Sequence, residues 1–184
     1  MTPLEQQLVA SGLEVLGSCA SMSARGPELM HNAALLEDFS DAEADVLGEA
    51  MLLVRAQPGQ VLISEGQTGD WMLLLLSGTV DVTKRPVGRD ERGQLHESRS
   101  RLAVIRTGAA VGEMSMLDGE PRYATCVAIE TVEAGVLTRH AIGQLIRDHP
   151  GVGAKLLVKI TQLLAQRLRN TSNQLVKALH EQGG

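Results

Sequence analysis

Residues 112–128 read Gly-Glu-Met-Ser-Met-Leu-Asp-Gly-Glu-Pro-Arg-Tyr-Ala-Thr-Cys-Val-Ala. A carboxylate, Glu113, follows Gly112, and a short apolar turn covers 114–117. A turn of Asp118, Gly119, Glu120 and Pro121 leads to Arg122, just ahead of an apolar stretch with the character of a buried strand. This order suits a small anionic ligand that also carries hydroxyls. Arg122 offers the planar cationic fork that an oxyanion prefers. Glu113 offers acceptors to a diol, and the first turn of a helix at 114–117 leaves backbone N–H groups free for the same anion. Stripped of water and unpaired, an arginine here would cost several kcal/mol. Each charge-assisted hydrogen bond to a phosphate returns roughly 1.5–3 kcal/mol. Two such bonds with backbone donors reach micromolar affinity, about −8 kcal/mol.

Outward from this stretch the chain reads as short apolar runs between turn signals. Pro58-Gly59, Glu65-Gly66, Gly69-Asp70 and Ser77-Gly78 separate strands expected at about 52–56, 60–64, 71–76 and 79–84. Further strands are expected at 101–105, 123–129 and 132–138, and so many short strands imply a closed antiparallel roll. Residues 73–76 are continuously apolar, which predicts burial on both faces. Ser40 with Glu43 three residues on is a capping box, opening a helix with Val46, Leu47, Ala50 and Met51 on one face. A short helix is expected at 139–148. One long helix is expected at about 154–181, longer than a small barrel can cover. Its stripe of Leu157, Ile160, Leu164, Leu168, Thr171, Leu175 and Ala178 calls for a partner, most simply a second copy of the same helix. The plainer alternative is a helix folded back along its own barrel.

The 112–128 stretch resembles the phosphate-binding cassette of the cyclic-nucleotide-binding domain family. In that family a Gly-Glu pair precedes, by nine residues, a Pro-Arg pair leading into a small residue and Ala-Thr-Val. Glu113 and Arg122 keep that spacing, and Pro121, Ala124, Thr125 and Val127 match in type, with Cys126 inserted before Val127. The similarity runs over roughly 35–180. It includes residues 36–39 with the helix after Ser40, the 58–63 strand with its Pro58-Gly59 turn, and the 77–80 turn. The resemblance implies that Glu113 takes the ribose 2′-hydroxyl and Arg122 the exocyclic phosphate oxygens. The N–H groups of Ser115 and Tyr123 would complete the cradle, with Gly112, Met114 and Ala124 beside them. Tyr123 departs from the family, which usually has Ala, Ser or Thr there, and its ring could narrow the site or change the ligand. The segment 168–172 is similar to the central helix of bacterial catabolite activators. This implies that Thr171 reads the base in its own subunit and Ser172 in the partner. A polar register position in a coiled coil is the other reading of that pair.

The resulting expectation is an α+β protein, an antiparallel jelly-roll-like β-roll with flanking helices, related to catabolite activators and protein kinase A regulatory subunits. Three parts are expected: an N-terminal helical extension, 1–35; the cyclic-nucleotide-binding roll with its opening helix, 36–150; and the long C-terminal helix, 151–184, for dimerisation or as a lid. The expected role is a regulatory sensor that binds cyclic AMP by preference, with cyclic GMP second, and is not an enzyme. Expected partners are a second copy, through the C-terminal helix, and a protein effector. A dimerisation or docking module with Tyr123 filling the pocket is the alternative.

Composition sets bounds. Net charge is −5, from 17 Lys and Arg against 22 Asp and Glu, which disfavours a broad nucleic-acid face. No helix-turn-helix follows the long helix within these residues, so direct DNA binding is not expected. One Phe, one Trp and one Tyr leave the core to aliphatic side chains. Cys19 and Cys126 form no redox or metal motif. No signal pattern or membrane-length apolar run occurs, so a cytoplasmic protein without membrane contact is expected. His31, His96, His140, His149 and His180 do not pair at metal-ligand spacing, so the metal-dependent jelly-roll enzymes lose their chemistry and no cofactor is expected. Residues 84–101, rich in charge, read as a solvated hairpin loop or as a contact loop.

Overall fold

The computed structural model describes residues 2–85 and 99–182. Most of the 84–101 loop, with His96, therefore lies outside the described residues. Two antiparallel sheets form the roll. The first comprises β1 (Glu14–Ser18), β2 (Leu52–Ala56), β9 (Val132–Thr138), β4 (Trp71–Ser77) and β7 (Ala110–Val111), in that order. The second has the order β3 (Val61–Ile63), β8 (Thr125–Ala128), β5 (Thr79–Lys84) and β6 (Ser100–Arg106).

The apolar run in β4 is divided between two cores. Leu73 and Leu75 face the space between the sheets with Val54, Val80, Ala134 and Val136. Met72, Leu74 and Leu76 face the helices on the other side, beside Leu47, Ile142, Leu156 and Ile160. Alternation of period two thus buries every side chain from Trp71 to Leu76. This is the both-faces burial expected of 73–76.

The helices are α1 (Pro3–Ala10), α2 (Pro27–Asn32), α3 (Asp41–Glu49), α4 (Glu113–Asp118), α5 (Arg139–Asp148) and α6 (Pro150–Gln182). The Ser40 capping box on α3 forms as expected: Ser40 Oγ accepts from the Glu43 N–H, and the Glu43 carboxylate accepts from the Ser40 N–H. Helix α6 begins at Pro150, four residues earlier than its pattern suggested, because proline is accommodated in a first helical turn. Its first half packs down through Val152, Leu156 and Ile160. Two lysines fasten it to α3 and the segment before it. Lys155 Nζ bonds the Glu43 carboxylate at 2.7 Å and lies 5.3 Å from the centroid of the Phe39 ring, while Lys159 Nζ bonds Asp38 at 2.7 Å.

The N-terminal segment, expected as a helical extension over 1–35, also carries a strand. Residues 14–18 form a strand, β1, that pairs with β2 around a bulge at Gly17. Leu8 and Leu13 enter the inter-sheet core, while Cys19, Met22 and Leu29 enter the helix-side core. Glu-Val-Leu-Gly-Ser carries no alternating apolar pattern, so pairing with β2, not side-chain pattern, holds this strand in place.

Candidate functional site

The loop between β3 and β4 and the turn before β8 meet around one guanidinium. The Gly66 N–H donates to the Arg122 carbonyl at 2.9 Å, and the Arg122 N–H to the Gln67 carbonyl at 2.8 Å. The side chain is thereby driven inward. Its Nη1 donates to the Gly112 carbonyl and its Nη2 to the Trp71 carbonyl, each at 2.7 Å, and its head lies 4.3 Å from the Trp71 ring centroid. Arg122 is 4 % exposed. Among the described residues no carboxylate forms an ion pair with it. Burial draws its pKa below the ordinary arginine value, opposed by Cys126, Asp70 and Glu113. A buried cation held by carbonyl dipoles and an aromatic face is a prepared anion site.

Two glycines leave room for this head. A Cβ on Gly69 would lie 2.6 Å from Arg122 Nη2, and one on Gly112 2.7 Å from Nη1. Gly112 also takes φ +84° as the residue before α4, a conformation that only glycine adopts freely. This conformation turns the chain from β7 into α4 and sets Glu113 inside.

Glu113 is fully buried. Its Oε1 accepts from Arg167 Nη1 of α6, and Arg167 Nη2 donates to the Ala110 carbonyl. Its Oε2 has no hydrogen-bond partner among the described residues. An orphaned buried carboxylate oxygen is costly, and a ligand hydroxyl would satisfy it. The far end of α4 is tied as well, since Arg139 Nε, at the start of α5, donates to the Met116 carbonyl.

Between these groups lies a cavity of about 130 Å³. Gly112, Glu113, Met114, Ser115, Arg122, Tyr123 and Ala124 all line it, as does Arg167. The chain matches the cyclic nucleotide-binding domain family over residues 53–149, more than half its length. It belongs to that family. A CRP-like cAMP-activated global transcriptional regulator from Mycobacterium tuberculosis is 28% identical over 149 residues, covering 80% of this chain and 61% of the relative. The cyclic AMP receptor protein of Thermus thermophilus is 34% identical over 117 residues, 64% of this chain and 49% of the relative. The chain spans about half to three fifths of the length of those relatives. A crystal structure of a cyclic nucleotide-binding domain from Methylobacillus flagellatus superposes with a TM-score of 0.74 at 32% identity, covering 89% of this chain and 88% of that one. The β-roll with a long C-terminal helix is the shared fold.

Thr171 and Ser172 do not join the cavity. Both are exposed on α6, beyond Arg167. Arg167 is the charged cavity-lining group that sequence reading overlooked. Its signal was faint: it stands four residues before Thr171, on the same side of the helix, among other solvated charges. Tyr123 does not plug the site. Its side chain is 57% exposed, with Lys84 Nζ 3.8 Å from its ring centroid. Cys126 also lines the cavity, and burial pushes its thiol up to about 11, against the pull of Arg122 and Arg167. Among the described residues no cluster of side chains could hold a metal ion, and no helix is long and apolar enough to cross a membrane.

Proposed function

We propose that the chain is a cyclic-AMP-binding regulatory module that passes ligand occupancy to its C-terminal helix. The observation that carries this reading is the buried guanidinium of Arg122, which among the described residues has no carboxylate partner, beside a buried Glu113 with one oxygen unpartnered among them. A cyclic phosphate neutralises the first, and a ribose hydroxyl satisfies the second. A neutral sugar leaves Arg122 unmatched, and a bare phosphate leaves Glu113 Oε2 unmatched.

The route to α6 runs through Arg167. This residue holds one oxygen of Glu113 while a ligand hydroxyl takes the other, so ligand and helix draw on one carboxylate. A ligand that favours one placement of Arg167 shifts α6 accordingly. The Arg139 bond to α4 gives α5 a second contact with the same turn. Adenine preference over guanine would come from Thr171 and Ser172, which a second copy aligned along α6 could bring to the site. The module has no catalytic chemistry of its own in this reading. It acts in the cytoplasm as a homodimer, on a separate protein effector.

Titration with cyclic AMP tests the reading. A saturable heat at micromolar ligand is expected, with a change in Trp71 fluorescence because Arg122 lies over that ring. Both signals should vanish in Arg122→Ala. No response from the intact chain up to about millimolar ligand overturns the reading.

A further inference from the structure

We propose that Tyr123 is the platform on which the nucleotide base stacks, an inference that rests on the cyclic-nucleotide reading of the cavity. The cavity has a charged floor and an apolar lip. Glu113 and Arg122 make the floor, both buried. Leu102 of β6, Met114 of α4 and Tyr123 make the lip, and they are 49%, 48% and 57% exposed. One exposed apolar side chain is ordinary, but three around a single mouth mark a binding surface.

Volume assigns the two zones. At about 130 Å³ the cavity is well short of the roughly 300 Å³ at the low end for whole small-molecule sites. The anionic sugar belongs at the floor, where the guanidinium and the free carboxylate oxygen are. The remaining part, a flat base, must then rise past the lip.

Tyr123 is already set to receive it. Lys84 Nζ lies 3.8 Å from the ring centroid and donates to the Tyr123 carbonyl at 2.7 Å and to Glu65 at 3.3 Å. The cation stands over one face of the ring and restrains it before any ligand arrives, so the base would take the opposite face at a reduced ordering cost. A fixed aromatic ring beside an anion site takes a base by its face, whatever the base's edge carries. Leu102 and Met114 add shape and apolar contact but no strong hydrogen-bonding group. The lip therefore supplies affinity common to purines and leaves discrimination between them to other residues.

The test compares cyclic AMP, cyclic GMP and base-free ribose 3′,5′-cyclic phosphate on the intact chain and on Tyr123→Ala and Tyr123→Phe. Tyr123→Ala should weaken both nucleotides about tenfold or more and leave the base-free probe within twofold. Tyr123→Phe should behave like the parent chain with all three. Equal weakening of the base-free probe would mean that the residue merely shapes the cassette, and unchanged nucleotide affinity would mean no contact; either overturns the platform while the sensor reading stands. A parent chain that binds none of the three removes both.

Discussion

Arg122 is held by two carbonyl oxygens and by the absence of two methyl groups. The second point is testable at Gly69, whose backbone is not in the left-handed region, so the effect of a side chain there is purely steric. In Gly69→Ala the new Cβ falls 2.6 Å from Nη2 and the guanidinium must leave its bonds. Ligand affinity should drop at least tenfold, and urea unfolding should show a loss of about 2 kcal/mol, one charge-assisted bond's worth. Unchanged values for both would mean that the head swings freely and is not preorganised. The two buried thiols give a second test. Burial raises Cys19 and Cys126 from 9.0 to about 11. The folded chain keeps both neutral where the unfolded chain ionises them. Stability from this source is intact below pH 9 and declines as the pH climbs from 9 to about 11, by about 2–3 kcal/mol per thiol. Unfolding at pH 8 and pH 10.5 should show that decline, and it should be smaller in Cys126→Ala.

At the scale of elements, α6 does two jobs along its length. Leu156 and Ile160 are buried against the roll, whereas Leu168 and Leu175 are 69% and 60% exposed. Leu156→Ala should therefore cost about 2–5 kcal/mol. Leu168→Ala should cost less than about 0.5 kcal/mol in the monomer. Arg167 lies between these halves and joins the helix to the cassette. Its replacement by Ala leaves Glu113 buried without its cation, so amide exchange in the second half of α6 and in α4 should quicken together. Exchange that quickens in neither element would show that the ion pair transmits nothing. The helix and its stripe were legible in sequence because apolar periodicity and the Pro150 boundary are local signals. Arg167 was not legible, because nothing in a single arginine on a polar face tells whether the chain will fold a carboxylate from residue 113 against it. The cassette was the opposite case, since Glu113, Arg122 and the turn between them carry their chemistry in nine residues of spacing.

The whole molecule shows the same division. The strands from β2 onward, β7 excepted, were legible from Pro-Gly and Gly-Asp punctuation and from the doubly buried run in β4. Two strands escaped. β1 carries no alternating apolar pattern, and β7 has only two residues, so each depends on a neighbour's edge more than on its own pattern. What the roll leaves uncovered sets the last expectation. With 33 residues α6 is about 50 Å long, and past residue 168 every side chain described on it is exposed. Leu168 and Leu175 stand seven apart with Val176 and Leu179 beside them, and Leu157, Leu164, Thr171 and Ala178 repeat at the same interval. A seven-residue repeat on a helix without a cover is the geometry of a two-stranded coiled coil, and a second α6 supplies a matching face. It would also bring Thr171 and Ser172 of each copy near the other's lip. Sedimentation at tens of micromolar chain should then give a dimer, and Leu175→Glu should give a monomer whose roll unfolds at the parent's denaturant midpoint. The same variant should retain the base-free cyclic phosphate yet lose any preference for adenine over guanine. A parent chain that stays monomeric, with that preference intact, would place base selection inside one subunit and leave the outer half of α6 to a different protein.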